Sequence, residues 1–261
     1  MIYEICTQTD SGLSRDNNED AVAFDSATRL CVLADGMGGY NAGEVASGMA
    51  VSFIYSELSR WLEQAGADAN VKEVQRAMQI CVENSNNSVF NAAHSNPQYS
   101  GMGTTLVVGV FHGDRLVLGH IGDSRCYRLR GPSFQQITKD HSLLQEQLDA
   151  GLITAQQALV SVHKNLVTRA LGVEDTVLLD VNEHRVEMGD LYLMCSDGLS
   201  DMLSDAQIAN ILLNTSSLHD KAQHLVAAAN DNGGHDNISV LLALALEVPG
   251  KKSLLARMLG K

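Results

Sequence analysis

Short runs of apolar residues recur along the chain, and two pairs of helical patterns lie between them. The apolar runs predict strands at 21–25, 30–34, 104–111, 116–121, 125–129, 177–185, 191–195 and 238–246. Several of these runs are continuously apolar, which is typical of strands covered on both faces. Apolar residues at helical spacing predict helices at about 43–64, 71–93, 205–213 and 219–230. This order predicts strands that pack on strands and are covered by paired helices.

The same pattern predicts one domain over 1–248. The chain has only three prolines and no linker rich in Ser, Gly or Pro. Residues at about 139–172 mix short helical pieces with turns, which favours an insertion or lid. The last eleven residues, KKSLLARMLGK, carry four positive charges among Leu and Met. We interpret 249–261 as a basic tail, although this pattern also suits a small partner-binding or membrane-surface helix.

Composition and charge exclude several classes of protein. The chain of 261 residues has 31 acidic and 18 basic side chains, a net charge of −13. That balance argues against a non-specific nucleic-acid binder, whose affinity would come from Lys and Arg on phosphates. Five scattered cysteines, none in a C-x-x-C pair, do not support a disulfide framework or a zinc site. No signal peptide or membrane-spanning apolar run is recognisable, so we expect a cytoplasmic protein.

Acidic residues adjoin the ends of five predicted strands. They are Glu19, Asp20, Asp35, Asp123, Asp197 and Asp236. Any single Asp-Gly pair is explained by turn formation, because Asp caps turns and Gly supplies positive φ. If the strand ends converge, however, two carboxylates ~4 Å apart repel by about 4 kcal/mol at a dielectric near 20. Such a cluster needs protons or cations, and an all-oxygen ligand set favours Mg²⁺ or Mn²⁺ over zinc.

Arg15 precedes Glu19 by four residues. A guanidinium group beside a metal cluster is suited to holding a phosphoryl group through two parallel hydrogen bonds. Taken alone, an arginine at this position is more simply explained as a surface charge.

Eight short segments, in order from about residue 10 to residue 246, together resemble a known family. They are SRDNNED (14–20), ADGMGG (34–39), GMGTT (101–105), GDSR (122–125), DHS (140–142), TRALG (168–172), CSDGL (195–199) and HDNIS (235–239). Each segment alone is a weak signal, because short motifs occur often by chance. In this order they resemble the metal-dependent serine/threonine protein phosphatases of type 2C, the PPM family, in their bacterial form.

The resemblance implies an α+β fold: a four-layer α-β-β-α sandwich of two antiparallel sheets flanked by paired helices. It also implies two ions per site, Mn²⁺ or Mg²⁺, and a third, weaker ion. Asp35 would bridge the first two ions, and Asp123 would bind the third alongside Asp197. Asp20 would hold metal-bound water, and Arg15 would bind the substrate phosphate. The full set of implied metal ligands is Glu19, Asp35, the Gly36 carbonyl, Asp123, Asp197 and Asp236.

The implied reaction is hydrolysis of phosphoserine and phosphothreonine on proteins, by in-line attack of a metal-bridging hydroxide. Implied partners are phosphorylated proteins, including a Ser/Thr kinase whose action the enzyme opposes and the targets of that kinase. One position departs from eukaryotic relatives, which often place a proposed general-acid histidine where this chain has Met37. His141 and His163 lie in the flap-like insertion, and we leave both outside the predicted catalytic set.

Two other functions remain open at this stage. Gly122-Asp123-Ser124 resembles the nucleophile block of Gly-Asp-Ser-Leu esterases, with His235 and Asp236 as further triad members. Ser124 is flanked by predicted strands, however, whereas a nucleophile elbow leads from a strand into a helix. The other alternative is a regulatory domain that binds phosphoproteins without hydrolysing them, although every implied metal carboxylate is present.

Overall fold

Two antiparallel sheets form the centre of the computed structural model, which describes residues 1–38, 42–159, 166–214 and 217–247. The first sheet contains, in spatial order, β1 (Ile2–Asp10), β11 (Ile238–Leu246), β10 (Leu191–Cys195), β7 (Arg125–Arg130) and β8 (Ser133–Gln136). The second contains β2 (Asp20–Asp25), β3 (Leu30–Met37), β5 (Leu106–His112), β6 (Arg115–Ile121) and β9 (Asp180–Arg185), with β4 (Gly103–Thr104) paired to β3.

Paired helices cover the outer face of each sheet. The long helices are α1 (Ala42–Ala65), α2 (Val71–Ser95), α6 (Asp205–Asn214) and α7 (Leu218–Asp231). Shorter helices are α3 (Leu143–Asp149), α4 (Ala155–Leu159) and α5 (Asp197–Ser200). Helix α2 begins with a capping box, in which the Asn70 side chain and Glu73 satisfy each other's backbone N–H groups.

The described residues bury their apolar side chains in three layers. One cluster joins α1 and α2 to the second sheet, as in the packing of Ile54 and Met78 with Val108. Another joins α6 and α7 to the first sheet, and includes Leu225. The third lies between the two sheets and includes Phe111. These three cores produce the α-β-β-α sandwich, so the predicted α+β fold class is confirmed.

The predicted strands and long helices are present, with two informative differences. Strands β1 and β8 were not predicted; both lie at the edges of the first sheet, and neither contains a continuous apolar run. The predicted strand at 104–111 is divided into β4 and β5. It breaks at Thr105: the Thr105 N–H donates to the Asp35 carbonyl, but the Asp35 N–H donates to Thr105 Oγ1, at 3.0 Å, instead of to a backbone carbonyl.

Two of the predicted features fall partly or wholly outside the described residues. Of the insertion at about 139–172, the structure describes α3, α4 and the return segment from residue 166 onward. The tail at 249–261 and His163 lie outside the described residues. Among the helices that are described, none is both long and apolar enough to cross a membrane.

Candidate active site

A cavity of about 250 Å³ opens where strands of both sheets end. Its lining residues are Arg15, Glu19, Asp35, Gly36, Met37, Gly38, Thr105, Asp123, Val167, Asp197 and Asp236. Every residue predicted to bind metal or phosphate therefore lines this one cavity. The remaining predicted residue, Asp20, lies directly behind it, opposite Asp35 in the pairing of β2 with β3.

Each sheet contributes carboxylates to the cavity. Glu19 precedes β2 and Asp35 lies on β3, so both belong to the second sheet. Asp197 follows β10 and Asp236 precedes β11, so both belong to the first sheet. Asp123 lies on the connection between β6 and β7, which crosses from one sheet to the other. The cavity is therefore complete only when the two sheets are packed together.

Glycines allow helix α1 to start directly against Glu19 and the end of β3. The Gly36 N–H donates to the Glu19 carbonyl, 3.1 Å away. A Cβ on Gly36 would lie 2.1 Å from the Gly43 carbonyl oxygen, and one on Gly43 would lie 2.7 Å from Glu19 Oε2. Any side chain at either glycine would push α1 away from the cavity.

Asn237 is a structural residue that the motif contained but the sequence analysis did not assign. It is 4 % exposed, and its Oδ1 accepts a hydrogen bond of 2.8 Å from the Glu19 N–H. Its Nδ2 donates to the carbonyls of Ser11 and Asn17, at 3.0 and 2.9 Å. Asn237 thus ties the start of β11 to the loop that carries Arg15 and Glu19, a contact between distant segments that local pattern does not reveal.

Asp20 has one satisfied and one unsatisfied carboxylate oxygen. Oδ2 accepts a hydrogen bond of 2.8 Å from Ser196 Oγ. Oδ1 is buried and has no partner among the described residues. Burial raises the pKa of Asp20 to about 6, although the nearby hydroxyls of Ser239 and Ser196 oppose the shift. A buried oxygen without a partner fits a site that takes up a water molecule or an ion.

Burial and mutual repulsion raise the pKa values of the other carboxylates. The pKa of Asp35 and that of Asp197 are raised well above the ordinary range, first by burial and then by neighbouring carboxylates. Burial, followed by the charge of Asp140, raises the pKa of Asp123 to about 6. Burial also raises the pKa of Glu19. Each of these shifts means that the group gains from a proton or from a cation in its place.

The donor set fits a hard divalent cation. The acidic ligands and the Gly36 carbonyl are all oxygen donors, which Mg²⁺ and Mn²⁺ prefer. In the described part of the chain, no three acidic, His or Cys side chains already converge closely enough to hold an ion. Among the described residues, the carboxylates thus share one cavity without already forming a closed ligand set.

Arg15 supplies positive charge to the cavity. Its Nη2 lies 2.8 Å from Asp236 Oδ2, and the arginine side chain is 50 % exposed. The other Asp236 oxygen accepts from the Asn237 N–H at 2.9 Å. Arg15 is thus held at the mouth of the cavity with much of its guanidinium accessible. Met37, which also lines the cavity, has no proton to donate to a leaving group.

Two histidines hold the backbone on either side of Asp123. The Gly122 N–H donates to the ring Nδ1 of His141 at 3.1 Å, and the backbone N–H of His141 donates to the Gly122 carbonyl at 2.7 Å. On the other side, His120 Nε2 donates to the Ser124 carbonyl at 2.9 Å. Burial lowers the pKa of His120, to about 4, and that of His141, so both rings are neutral near pH 7. The rings pack together with their centroids 4.7 Å apart.

Ser124 does not have the environment of a nucleophile. It is fully buried, and its Oγ lies 2.7 Å from Thr105 Oγ1 in a hydrogen bond. A serine nucleophile must reach the substrate and be activated by a neighbouring base. The geometry therefore argues against the esterase alternative.

Comparison with known proteins gives consistent matches over nearly the whole chain. The family model described as "Protein phosphatase 2C" matches residues 12–242. The "Serine/threonine phosphatase stp" of Listeria innocua is 37% identical over 238 residues, which cover 90% of this chain and 93% of that protein. The crystal structure of the Mycobacterium tuberculosis serine/threonine phosphatase PstP/Ppp is similar with a TM-score of 0.85 and 35% identity, covering 95% of this chain and 100% of that one.

A further solved structure carries metal ions. It is the catalytic domain of the serine/threonine protein phosphatase PstP in complex with two manganese ions. This chain resembles it with a TM-score of 0.82 and 35% identity, over 94% of this chain and 99% of that one.

Proposed function

Because this chain belongs to the protein phosphatase 2C family and is a protein serine/threonine phosphatase, we propose that its cavity hydrolyses phosphoserine and phosphothreonine with the help of divalent metal ions. The observation that carries this proposal is the convergence of Arg15 and five carboxylates from both sheets in one cavity. A phosphate-binding cation beside a set of oxygen ligands is the arrangement that metal-assisted phosphoryl transfer requires.

We propose that Asp35 would be a ligand shared by two ions, Mn²⁺ or Mg²⁺. Glu19 and the Gly36 carbonyl would complete the site on the second sheet, and Asp197 and Asp236 the site on the first. A third, weaker ion would be held by Asp123 together with Asp197. The two manganese ions of the PstP complex support the number two. The raised pKa values of Asp35 and Asp197, which come from burial and repulsion, support an oxygen cage that gains from cations.

Metal ions at these ligands would lower the pKa of a coordinated water and neutralise charge on the phosphoryl oxygens. The protein's own groups would do the rest. The accessible guanidinium of Arg15 would bind the phosphoryl oxygens and hold the phosphorus in line with the attacking water. The unpartnered Oδ1 of Asp20 would accept a hydrogen bond from water and orient it. No side-chain nucleophile is needed, which agrees with the burial of Ser124.

We further propose that this phosphatase acts in the cytoplasm on phosphorylated proteins, among them a Ser/Thr kinase and the targets of that kinase. The half-exposed side chain of Arg15 lines the cavity, so the cavity is accessible from solvent, which supports an extended protein segment as substrate rather than a small enclosed molecule. Turnover of a phosphorylated kinase domain, compared with its phosphopeptides, would measure this preference. Equal efficiency on both would contradict a docked kinase substrate.

The decisive experiment measures phosphate release from a phosphothreonine peptide with and without Mn²⁺. We expect activity only with added Mn²⁺ or Mg²⁺, its loss on chelation, and its recovery when the metal is restored. Asp35→Ala and Asp236→Ala should nearly eliminate turnover, whereas Asp68→Ala, at an exposed position beyond the far end of α1, should leave it unchanged. Unchanged turnover in both cavity variants would contradict the proposed site, and chelator-resistant ester hydrolysis would favour an esterase.

A further inference from the structure

His141 holds the turn that carries Asp123 on the side of Gly122. As described above, it bonds to both the N–H and the carbonyl of Gly122, the residue before Asp123. Gly122 has φ of +99°, and a Cβ there would lie 2.7 Å from Thr105 Cβ. Gly122 therefore offers no side chain that could hold the turn in place. Its orientation depends on hydrogen bonds from outside, and His141 supplies two of them.

The same residue joins the two ends of the insertion. The His141 carbonyl accepts a hydrogen bond of 2.8 Å from the Thr168 N–H. The next residue, Ser142, forms an isolated antiparallel bridge with Val167, and Val167 lines the cavity. The start and the return of the insertion thus meet at His141, beside the cavity.

The hydrogen-bond partners of the ring select one tautomer. Nδ1 accepts from the Gly122 N–H, so it carries no proton. Nε2 then bears the proton and donates to Asp180 Oδ2 at 3.0 Å. Arg169 Nη1 donates to the other Asp180 oxygen at 2.9 Å. Nη1 also lies 3.1 Å from Nε2, and because both nitrogens carry protons in this tautomer, they share the carboxylate rather than bond to each other.

The opposite tautomer would leave a buried donor without a partner. If Nδ1 carried the proton, the Gly122 N–H would face another N–H, and leaving a buried backbone donor unsatisfied is costly. Asp180 on β9 accepts the Nε2 proton of His141, and Arg169 in the return segment binds the other oxygen of Asp180. Together they stabilise the tautomer in which Nδ1 can accept from the Gly122 N–H.

We propose that His141, as the neutral Nε2–H tautomer, is a positioning residue that sets Asp123 relative to Asp197 and links that setting to the return segment that begins at residue 166. This inference rests on the proposed function, because Asp123 is a metal ligand only if the cavity binds ions. Residues that orient metal ligands through hydrogen bonds typically change metal affinity by 10–100-fold when they are replaced.

The tautomer is tested on the full-length protein by ¹⁵N NMR of the histidine rings. We expect the His141 signals, assigned by their loss in His141→Asn, to show an unprotonated Nδ1 and a protonated Nε2 near pH 7. A protonated Nδ1 would overturn the proposal, whatever the variants do.

Metal binding is tested by titrating Mn²⁺ into the purified protein and following heat. The variants are His141→Ala, His141→Asn and Asp123→Ala, with His112→Ala as a control, since His112 bonds to the Ala69 carbonyl away from the cavity. We expect His141→Ala to weaken the weakest class of Mn²⁺ sites about tenfold or more, in the same sense as Asp123→Ala. Asn places an oxygen at the position of Nδ1, so His141→Asn should recover most of this affinity.

The outcomes separate the two proposals. Absence of Mn²⁺ binding and of Mn²⁺-dependent turnover in the unaltered protein would contradict the proposed function itself. Normal binding in the unaltered protein and in His141→Ala would overturn the role of His141 alone. Equal weakening in His141→Asn and His141→Ala would also overturn it, because the acceptor at Nδ1 would then not matter. If His141→Ala does not fold, the NMR measurement and His141→Asn still decide.

Discussion

The guanidinium of Arg15 binds the Asp236 carboxylate and is placed to bind the phosphoryl group of a substrate as well. Its guanidinium contacts Asp236 through Nη2 and leaves other donors available at the mouth of the cavity. The pKa of Arg15 is raised, first by the hydrogen bond to Asp236, so the side chain stays charged at every relevant pH. A planar, permanently charged fork matches the oxygens of a phosphoryl group better than a point charge does.

Replacing Arg15 should therefore weaken substrate binding more than it slows the chemical step. We expect Arg15→Ala to raise the KM for a phosphothreonine peptide about tenfold or more, since a hydrogen bond to a charged group contributes about 1.5–3 kcal/mol. Arg15→Lys should give an intermediate KM, because it keeps the charge but loses the fork. Arg60→Ala, on the exposed face of α1, is the control. A KM that stays the same in Arg15→Ala would exclude this arginine from phosphate binding.

At the scale of elements, close backbone contacts set the cavity ligands. Strand β10 ends at Cys195, and α5 begins two residues later with Asp197. Gly198 lies so close to β11 that a Cβ would be 2.0 Å from the Asn237 carbonyl oxygen. The start of α5 is thus packed against the segment that carries Asp236, and the distance between the two carboxylates follows from this contact.

Gly198→Ala should move α5 and destabilise the fold. The added methyl group meets a backbone atom, which cannot rotate away, and overpacking of this kind costs about 1–3 kcal/mol. Gly48→Ala is a matched control, because Gly48 lies within α1 and a Cβ there meets no atom within 4 Å. We expect that change to stabilise the protein by about 0.5–1 kcal/mol through helix propensity. Urea unfolding of both variants measures the difference, and equal stability in the two would refute the close contact.

For the whole molecule, sequence reasoning identified the acidic residues next to predicted strands. It missed the hydrogen bonds between segments that are distant in the sequence. Asp35 and Asp197 were recognisable because an apolar run leads directly into each of them. The hydrogen bonds of Asn237 to Ser11, Asn17 and Glu19 join segments more than two hundred positions apart, and no local pattern records them. The same holds for His141, which looks like a single unremarkable histidine until the fold places it beside Gly122.

Buried histidine also makes the stability of the whole molecule depend on pH. His120 is 2 % exposed, and burial, followed by the neighbouring His141, lowers its pKa to about 4. In the unfolded chain the pKa returns to about 6.5. The unfolded state therefore binds more protons at His120 between these values, so the contribution of His120 to stability is fully present above about pH 6.5 and is lost as pH falls toward 4.

The size of this loss follows from the shift. About 2.5 pKa units correspond to about 3 kcal/mol at most. His120→Gln, which can still donate to the Ser124 carbonyl, should flatten the pH dependence of the unfolding free energy between pH 4 and 6.5. His94→Gln, at the exposed end of α2, is the control. An unchanged slope in His120→Gln, measured by urea unfolding at several pH values, would contradict a neutral buried His120.

The division of the cavity between the two sheets has a consequence for assembly. An ion held by Glu19 and Asp35 of one sheet and by Asp197 and Asp236 of the other would link the two sheets. Its complete ligand set would exist only in the folded protein. By linkage, an ion present at about 100 times its dissociation constant adds about 2.7 kcal/mol to the free energy of unfolding. The concentration of divalent metal would then affect the stability of the folded phosphatase as well as its rate of turnover. Added Mn²⁺ should raise the Tm in the absence of substrate, and this rise should disappear in Asp35→Ala.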